Sequence, residues 1–274
     1  MKRVMACIVL AVALVACKRE GEPAPPAASP DATTASGTPV APTAVVLNDV
    51  VETMPDYIIG ISYPPKAARY PGLAAELKRY ADAARADLIE AAQARSQPGG
   101  ATSAPYDLSL SFSEQLDTPG LVVIAADGSS YTGGAHGAPL IARFVWLPQQ
   151  GRLLKATDLV PGAQGWSAIS AYVREQLHSA LSQRVDADDL EPAERAEMVK
   201  DAGRMIDDGT DPDPANFVLF EPMAAADGKL SGLRFVFAPY QVGPYSDGTQ
   251  TVEVPASVLL PHVAPEYRTL FAGD

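Results

Sequence analysis

The sequence predicts an α+β domain of mixed, mostly antiparallel strands packed with two or three helices. Three observations carry that expectation. Apolar residues alternate with polar ones at Tyr106–Phe112 and at Leu233–Phe237, the period of a half-buried strand. They recur every three or four residues from Leu73 to Leu88 and from Trp166 to Leu181, the period of an amphipathic helix. Strand runs and helices do not alternate regularly, which argues against a parallel α/β sheet.

Taken in order, the chain opens with targeting information. Lys2 and Arg3 precede an almost unbroken apolar run, Val4 to Val15, that ends in small Ala16. Residues 1–16 therefore read as a secretory signal peptide, too short to span a membrane. Leu14-Val15-Ala16-Cys17 matches the bacterial lipobox pattern, so Cys17 is the expected lipidation site and the first residue of the mature, membrane-anchored chain. Lys18 follows it, where an Asp would signal inner-membrane retention. The expected location is the cell envelope, at the outer membrane and facing the periplasm. Residues 17–44 are rich in Pro, Ala, Ser and Thr without an aromatic, the composition of a disordered tether. As a flexible coil it would reach on the order of 30 Å. The folded domain is expected over 45–274, with a division into two lobes, 45–150 and 151–274, left open.

Within the domain a strand is expected at Asp56–Tyr63, then a helix from Pro71 that stops before Pro98-Gly99-Gly100. Strands follow at Tyr106–Phe112, Leu121–Ile124 and Leu140–Leu147. The glycine-rich segment Asp127–Gly137 between the last two reads as a tight connection using positive φ. A second helix carries Trp166, Ile169, Val173, Leu177 and Leu181 on one face. A third, charged helix runs from Pro192 to Ile206, and the acidic, proline-interrupted segment Asp207–Pro214 ends it. Strands return at Phe217–Phe220, Leu233–Phe237 and Thr251–Val254.

Composition narrows the function classes. The two cysteines, Cys7 and Cys17, both precede the domain, so it offers no disulfide, thiolate metal site or thiol nucleophile. The formal net charge is −12, and removal of Lys2 and Arg3 leaves about −14. Such an acidic surface argues against nucleic acid as a partner and favours solubility, or attraction to a basic partner.

No catalytic or cofactor motif is present. His136, His178 and His262 are widely spaced and fit no metal pattern. His178 beside Leu177 reads as a structural histidine on a helix. Asp207–Asp213 lacks the alternation and the closing Glu of a calcium loop and reads as a solvated turn. Glu191, Glu194 and Glu197 read as the outer face of a helix. No metal, no cofactor and no catalytic residue is expected, and the domain is read as a non-enzyme.

Two segments stand out as recognition material, Tyr131-Thr132-Gly133-Gly134-Ala135-His136-Gly137 and Phe237 to Gly248. Both combine glycines with aromatic rings that carry a polar tip, the residue types that give contact area and hydrogen bonds together. The candidate partner-binding residues are Tyr131, Thr132, Gly133, Gly134, His136, Tyr240, Tyr245 and Asp247.

On these motifs the chain resembles an extracytoplasmic domain family of unknown function shared by RsiV-like lysozyme-sensing anti-sigma factors and PdaC-like proteins. The family's Tyr-Thr-Gly-Gly-Ala-His stretch is matched at Tyr131–His136. Its Phe-x-x-Tyr-x-x-x-Pro-Tyr-x-x-Gly stretch is matched at Phe237, Tyr240, Pro244, Tyr245 and Gly248, and its Val-x-Val-Pro strand at Val252–Pro255. The resemblance covers roughly Val51 to Phe271. The deacetylase motifs of PdaC-like proteins, which belong to a separate metal-binding domain, are absent here. What the resemblance implies is a binding module for an envelope partner, with a lysozyme-like enzyme as the sharpest candidate. The alternatives are a peptidoglycan-binding module and, third, a cell-wall enzyme using His136 as general acid or base.

Overall fold

A computed structural model describes residues 45–95, 104–187 and 191–272, all within one compact unit. The signal-peptide, lipobox and tether readings, Cys17 included, lie outside the described residues.

Among the described residues nine strands form two sheets, in the expected mixed α+β arrangement. Six strands lie side by side in sequence order: β1 (Val50–Thr53), β2 (Tyr57–Ser62), β3 (Tyr106–Asp117), β4 (Val122–Tyr131), β5 (Ala138–Leu147) and β6 (Arg152–Leu153). Neighbours are antiparallel except β2 and β3. A parallel pair needs a crossover, and helix α1 (Pro71–Arg95) supplies it. Helices α2 (Ala156–Leu159), α3 (Ala163–Ala187) and α4 (Pro192–Gly209) precede a second, antiparallel sheet of β7 (Phe220–Ala224), β8 (Leu230–Phe237) and β9 (Gln250–Pro255). Helix α5 (Ala256–Leu259) follows directly.

Two cores sit on opposite faces of β4 and β5. On one face Leu73, Leu77 and Leu88 of α1 pack against Ile59, Ile61, Leu108 and Leu110. Tyr80 meets Phe112 and Phe144 edge-on. On the other face Trp166, Ile169 and Val173 of α3 pack with Phe235 and Phe237 of β8. Val122, Ile124, Phe144 and Trp146 point into the first core, whereas Val123, Val145 and Leu147 point into the second. Burial on both faces explains why Leu121–Ile124 and Phe144–Leu147 are continuous apolar runs rather than alternating ones.

Two expectations need correction. Phe217–Phe220 is not a strand: Pro214–Phe217 is a 3₁₀ turn, capped by the Asp213 carboxylate accepting from the Ala215 amide, and β7 starts at Phe220. Phe217 is apolar because it is a core plug, stacked on Trp166 at 5.7 Å and edge-on to Phe235 at 5.3 Å. The glycine-rich connection is shorter than its composition suggests, because Asp127–Tyr131 continue β4 and pair with both β3 and β5. The short strands β1 and β6 have too few residues to show a period, and sequence reading missed both.

The Arg143 side chain of β5 and the Glu221 side chain of β7 join the two sheets. They ion-pair at 2.5 Å with 7% and 8% exposure. Arg143 also pairs with Asp127 at 2.9 Å, and Arg234 reaches Glu221 at 3.3 Å. Removing one member of a buried pair leaves the other charge uncompensated. Glu221→Leu is therefore expected to lower unfolding free energy by about 3 kcal/mol, the low end for a buried pair because Asp127 remains. Urea denaturation checks this, and a loss under about 1 kcal/mol would mean that the pair behaves as a surface bridge.

A second link joins β6, α2 and the C-terminal turn. Arg152 donates to the Asp158 carboxylate at 2.7 Å and to the Tyr267 hydroxyl at 2.5 Å, while the Lys155 amide donates to Asp158 at 3.1 Å. Partial burial alone would raise the Asp158 pKa, but the Lys155 amide and the Arg152 guanidinium outweigh it and hold the carboxyl below its usual range. A depressed folded pKa adds stability that is present above the ordinary carboxyl value and lost as pH falls through the folded one. Asp158→Asn should thus be less stable than wild type at neutral pH, with the gap closing below about pH 4. Thermal melts across pH test it, and a gap that persists at low pH would contradict it.

Candidate functional site

The two recognition motifs meet in space. The first forms the turn between β4 and β5, and the second forms the connection between β8 and β9. The His136 ring lies flat on Tyr245, with centroids 3.7 Å apart and planes 12° apart. Its Nε2 is 2.9 Å from the Tyr240 hydroxyl, and the Tyr240 and Tyr245 rings are 5.7 Å apart. Tyr245 donates its hydroxyl to the Gly137 carbonyl at 3.1 Å, tying the second loop to the backbone of the first. Packing of the three rings contributes about 1 kcal/mol per pair beyond area burial.

The other candidates take supporting places. Tyr131, at the end of β4, donates to the Gly134 carbonyl at 3.1 Å and closes its own turn. Thr132, Gly133 and Gly134 are exposed at the tip. Both glycines have φ of +99°, which a side chain would resist. Asp247 pairs with Arg184 of α3 at 2.8 Å and so fixes the loop to the helix behind it.

Tyr240 is the unusual member. It has φ of +73°, the one positive φ on a non-glycine among the described residues, and it is 56% exposed. That backbone region costs a non-glycine residue about 1–2 kcal/mol, so the surrounding structure must impose it. The Tyr240 amide donates to the Gly243 carbonyl at 3.0 Å, and the Gln241 amide to the Ala238 carbonyl at 3.0 Å. The Gln241 side chain donates to the carbonyls of Gly209 at 3.2 Å and Asn216 at 2.9 Å. Gly209 lets the loop approach this closely: a Cβ there would fall 2.0 Å from the Gln241 carbonyl oxygen. Gln241, Gly209 and Arg184 are supports that sequence reading missed. Their roles rest on contacts across the fold, and the one local hint was a glycine at a helix end.

The remaining histidines and acids lie elsewhere in the fold. His178 Nε2 is 3.0 Å from Asp207, which also pairs with Arg174 at 3.4 Å, so these residues tie α3 to α4. The acidic run spreads between that tie and the Asp213 cap instead of converging on one point. Glu191, Glu194 and Glu197 are exposed. Among the described residues no group of three His, Cys, Asp or Glu side chains is placed to hold a metal, and no helix is long and apolar enough to cross a membrane. His136 contacts two phenol rings, the Tyr240 hydroxyl and the Gly137 carbonyl.

Residues 158–257 match the model of a family described as a protein of unknown function, DUF3298. The chain is similar to that family over this segment. The second motif and the Val252–Pro255 strand lie inside it, whereas Tyr131–His136 lies before it. A DUF3298 family member from Bacteroides fragilis has a similar structure, with a TM-score of 0.50 at 19% identity over 80% of this chain and 93% of that one. A DUF3298 family protein from Pseudomonas aeruginosa gives a TM-score of 0.48 at 18% identity over 83% and 94%. No curated protein matches the sequence. The Bacteroides likeness shows a shared fold over 80% of this chain, more than the segment matched by the family model.

The strain at Tyr240 yields a test. Glycine adopts φ near +73° freely, so Tyr240→Gly relieves a backbone cost of about 1 kcal/mol while losing ring contacts of similar size. The expected change in unfolding free energy is within about 0.5 kcal/mol of zero. A urea-denaturation loss above about 2 kcal/mol would show instead that the ring is a folding element.

Proposed function

We propose that this chain is a lipid-anchored lipoprotein of the bacterial cell envelope, held through Cys17 at the outer membrane facing the periplasm, whose domain binds a partner through the His136–Tyr240–Tyr245 surface. One observation carries the reading: an exposed tyrosine held in a strained backbone conformation, its ring braced by a histidine from a distant loop. Packing does not account for that outlay, because most of the Tyr240 surface remains in solvent. Rigid aromatic rings with polar tips are the residues that dominate protein interfaces.

The partner class follows from charge. A chain with net charge −12 attracts and orients a basic protein. A lysozyme-like enzyme is the sharpest candidate, as the resemblance to the RsiV-like domains implies. The open Tyr240 ring supports a second reading, stacking on a peptidoglycan sugar, since an exposed aromatic face suits either ligand. No catalytic role is assigned to the site.

Calorimetric titration of the protein with a basic lysozyme distinguishes the readings. Binding is expected at low salt, weaker at moderate salt, and reduced at least tenfold by Tyr240→Ala, as for an interface hot spot. Failure to bind at low salt would remove the lysozyme-like partner. Co-sedimentation with purified peptidoglycan would then decide for or against the sugar reading.

A further inference from the structure

Away from the aromatic cluster, a cavity of about 380 Å³ opens between the two layers of the domain. Val145 of β5, Leu154 after β6, and Val218 and Phe220 at the start of the second sheet form its apolar walls. Its volume lies within the range of small-molecule pockets, and an interlayer seam is a common place for one. Val218 is 59% exposed, the most exposed large apolar side chain in the described part of the second half of the chain.

Two polar groups line the same cavity, Lys155 and Arg143. Most cations of this acidic protein are held by carboxylates, as Lys66, Lys78, Arg85 and Arg195 illustrate. Among the described residues Lys155 and Lys200 are the lysine and arginine side chains with no hydrogen bond or ion pair, and Lys155 is the one at this cavity. Asp158, the nearest carboxylate to it in sequence, is already held by Arg152 and by the Lys155 amide. Arg143 donates from Nη1 to Asp127 and to two carbonyls, and its Nε faces Glu221 at 2.5 Å, so two carboxylates match its charge. The site therefore joins an exposed ammonium, without a hydrogen bond of its own, to an apolar trough.

We infer that this cavity binds an amphipathic anion, a single acyl chain bearing a carboxylate, with the head on Lys155 and the tail against Val145, Leu154, Val218 and Phe220. The charge and the apolar walls select this occupant together: a long-chain ammonium would meet Lys155 unfavourably, and a fully polar anion would leave the walls wet. The inference is independent of the aromatic site.

Dodecanoate below its micellar concentration is the probe, titrated into the purified protein by calorimetry. Dodecanoate is expected to bind. Lys155→Gln should weaken it about fivefold, the scale of a half-exposed ion pair. Val218→Asp, which sets a like charge on the rim, should weaken it at least as much. Both positions are exposed, so unchanged melting temperatures should show that the variants fold. Dodecyltrimethylammonium, with the same tail and the opposite head, should not bind. Absence of dodecanoate binding, equal binding by both variants, or equal binding of the dodecyl cation would each overturn the inference.

Discussion

The structure depends on β4 and β5 being buried on both faces. A hairpin covered on one side packs a single layer, whereas this one carries α1 and its aromatic partners on one face and the α3 and β8 core on the other. The two cores therefore share the same strands, and neither can lose its packing without exposing the back of the other. The buried Arg143–Glu221 pair spans the seam between the layers. Burying charges is costly, so such a pair adds little net stability compared with apolar groups, but it requires β5 and β7 to meet in one register. The hairpin core sets the distance between the layers, and the ion pair sets their alignment.

The candidate site follows from that frame. At the end of the hairpin remote from the apolar runs, β4 and β5 lose their buried side chains and close through the Gly133–Gly134 tip, which carries His136. Tyr240 and Tyr245 stand on the loop between β8 and β9 of the other sheet, fastened from behind by Gln241 and by the Arg184–Asp247 pair. A tyrosine–histidine contact between the two loops is possible because both sheets hold fixed positions. Each loop is anchored in a different layer, so the aromatic cluster reports the alignment that the interlayer contacts impose.

Much of this was legible in the sequence, and what was not has identifiable causes. The long helices, the alternating strands and the α+β class follow from residue periods that local burial imposes. The apolar runs of β4 and β5 showed as strands, but their double-sided burial needed the second layer to be seen. Phe217 misled because a core-filling aromatic in a 3₁₀ turn has the same local signature as a strand residue. The site residues were visible as two motifs of suggestive chemistry. Their meeting was not, since His136 and Tyr240 are 104 positions apart and nothing local couples them. Gln241 and Gly209 were invisible as supports for the same reason: each matters through a backbone atom supplied by a distant element.

The conformation of Tyr240 bears on the proposed binding role more directly than the motif does. If the loop needed a positive φ for its path alone, glycine would satisfy it at lower cost, as glycines do at Gly133, Gly134 and Gly248 nearby. If the ring were needed for packing, it would be buried, as Phe237 is at the end of β8. Neither condition holds: the residue is strained and its ring is mostly in water, held in orientation by a hydrogen bond to His136. An ordering cost met before any ligand arrives lowers the entropy lost on binding, and that is the advantage a preorganised aromatic anchor gives to an interface.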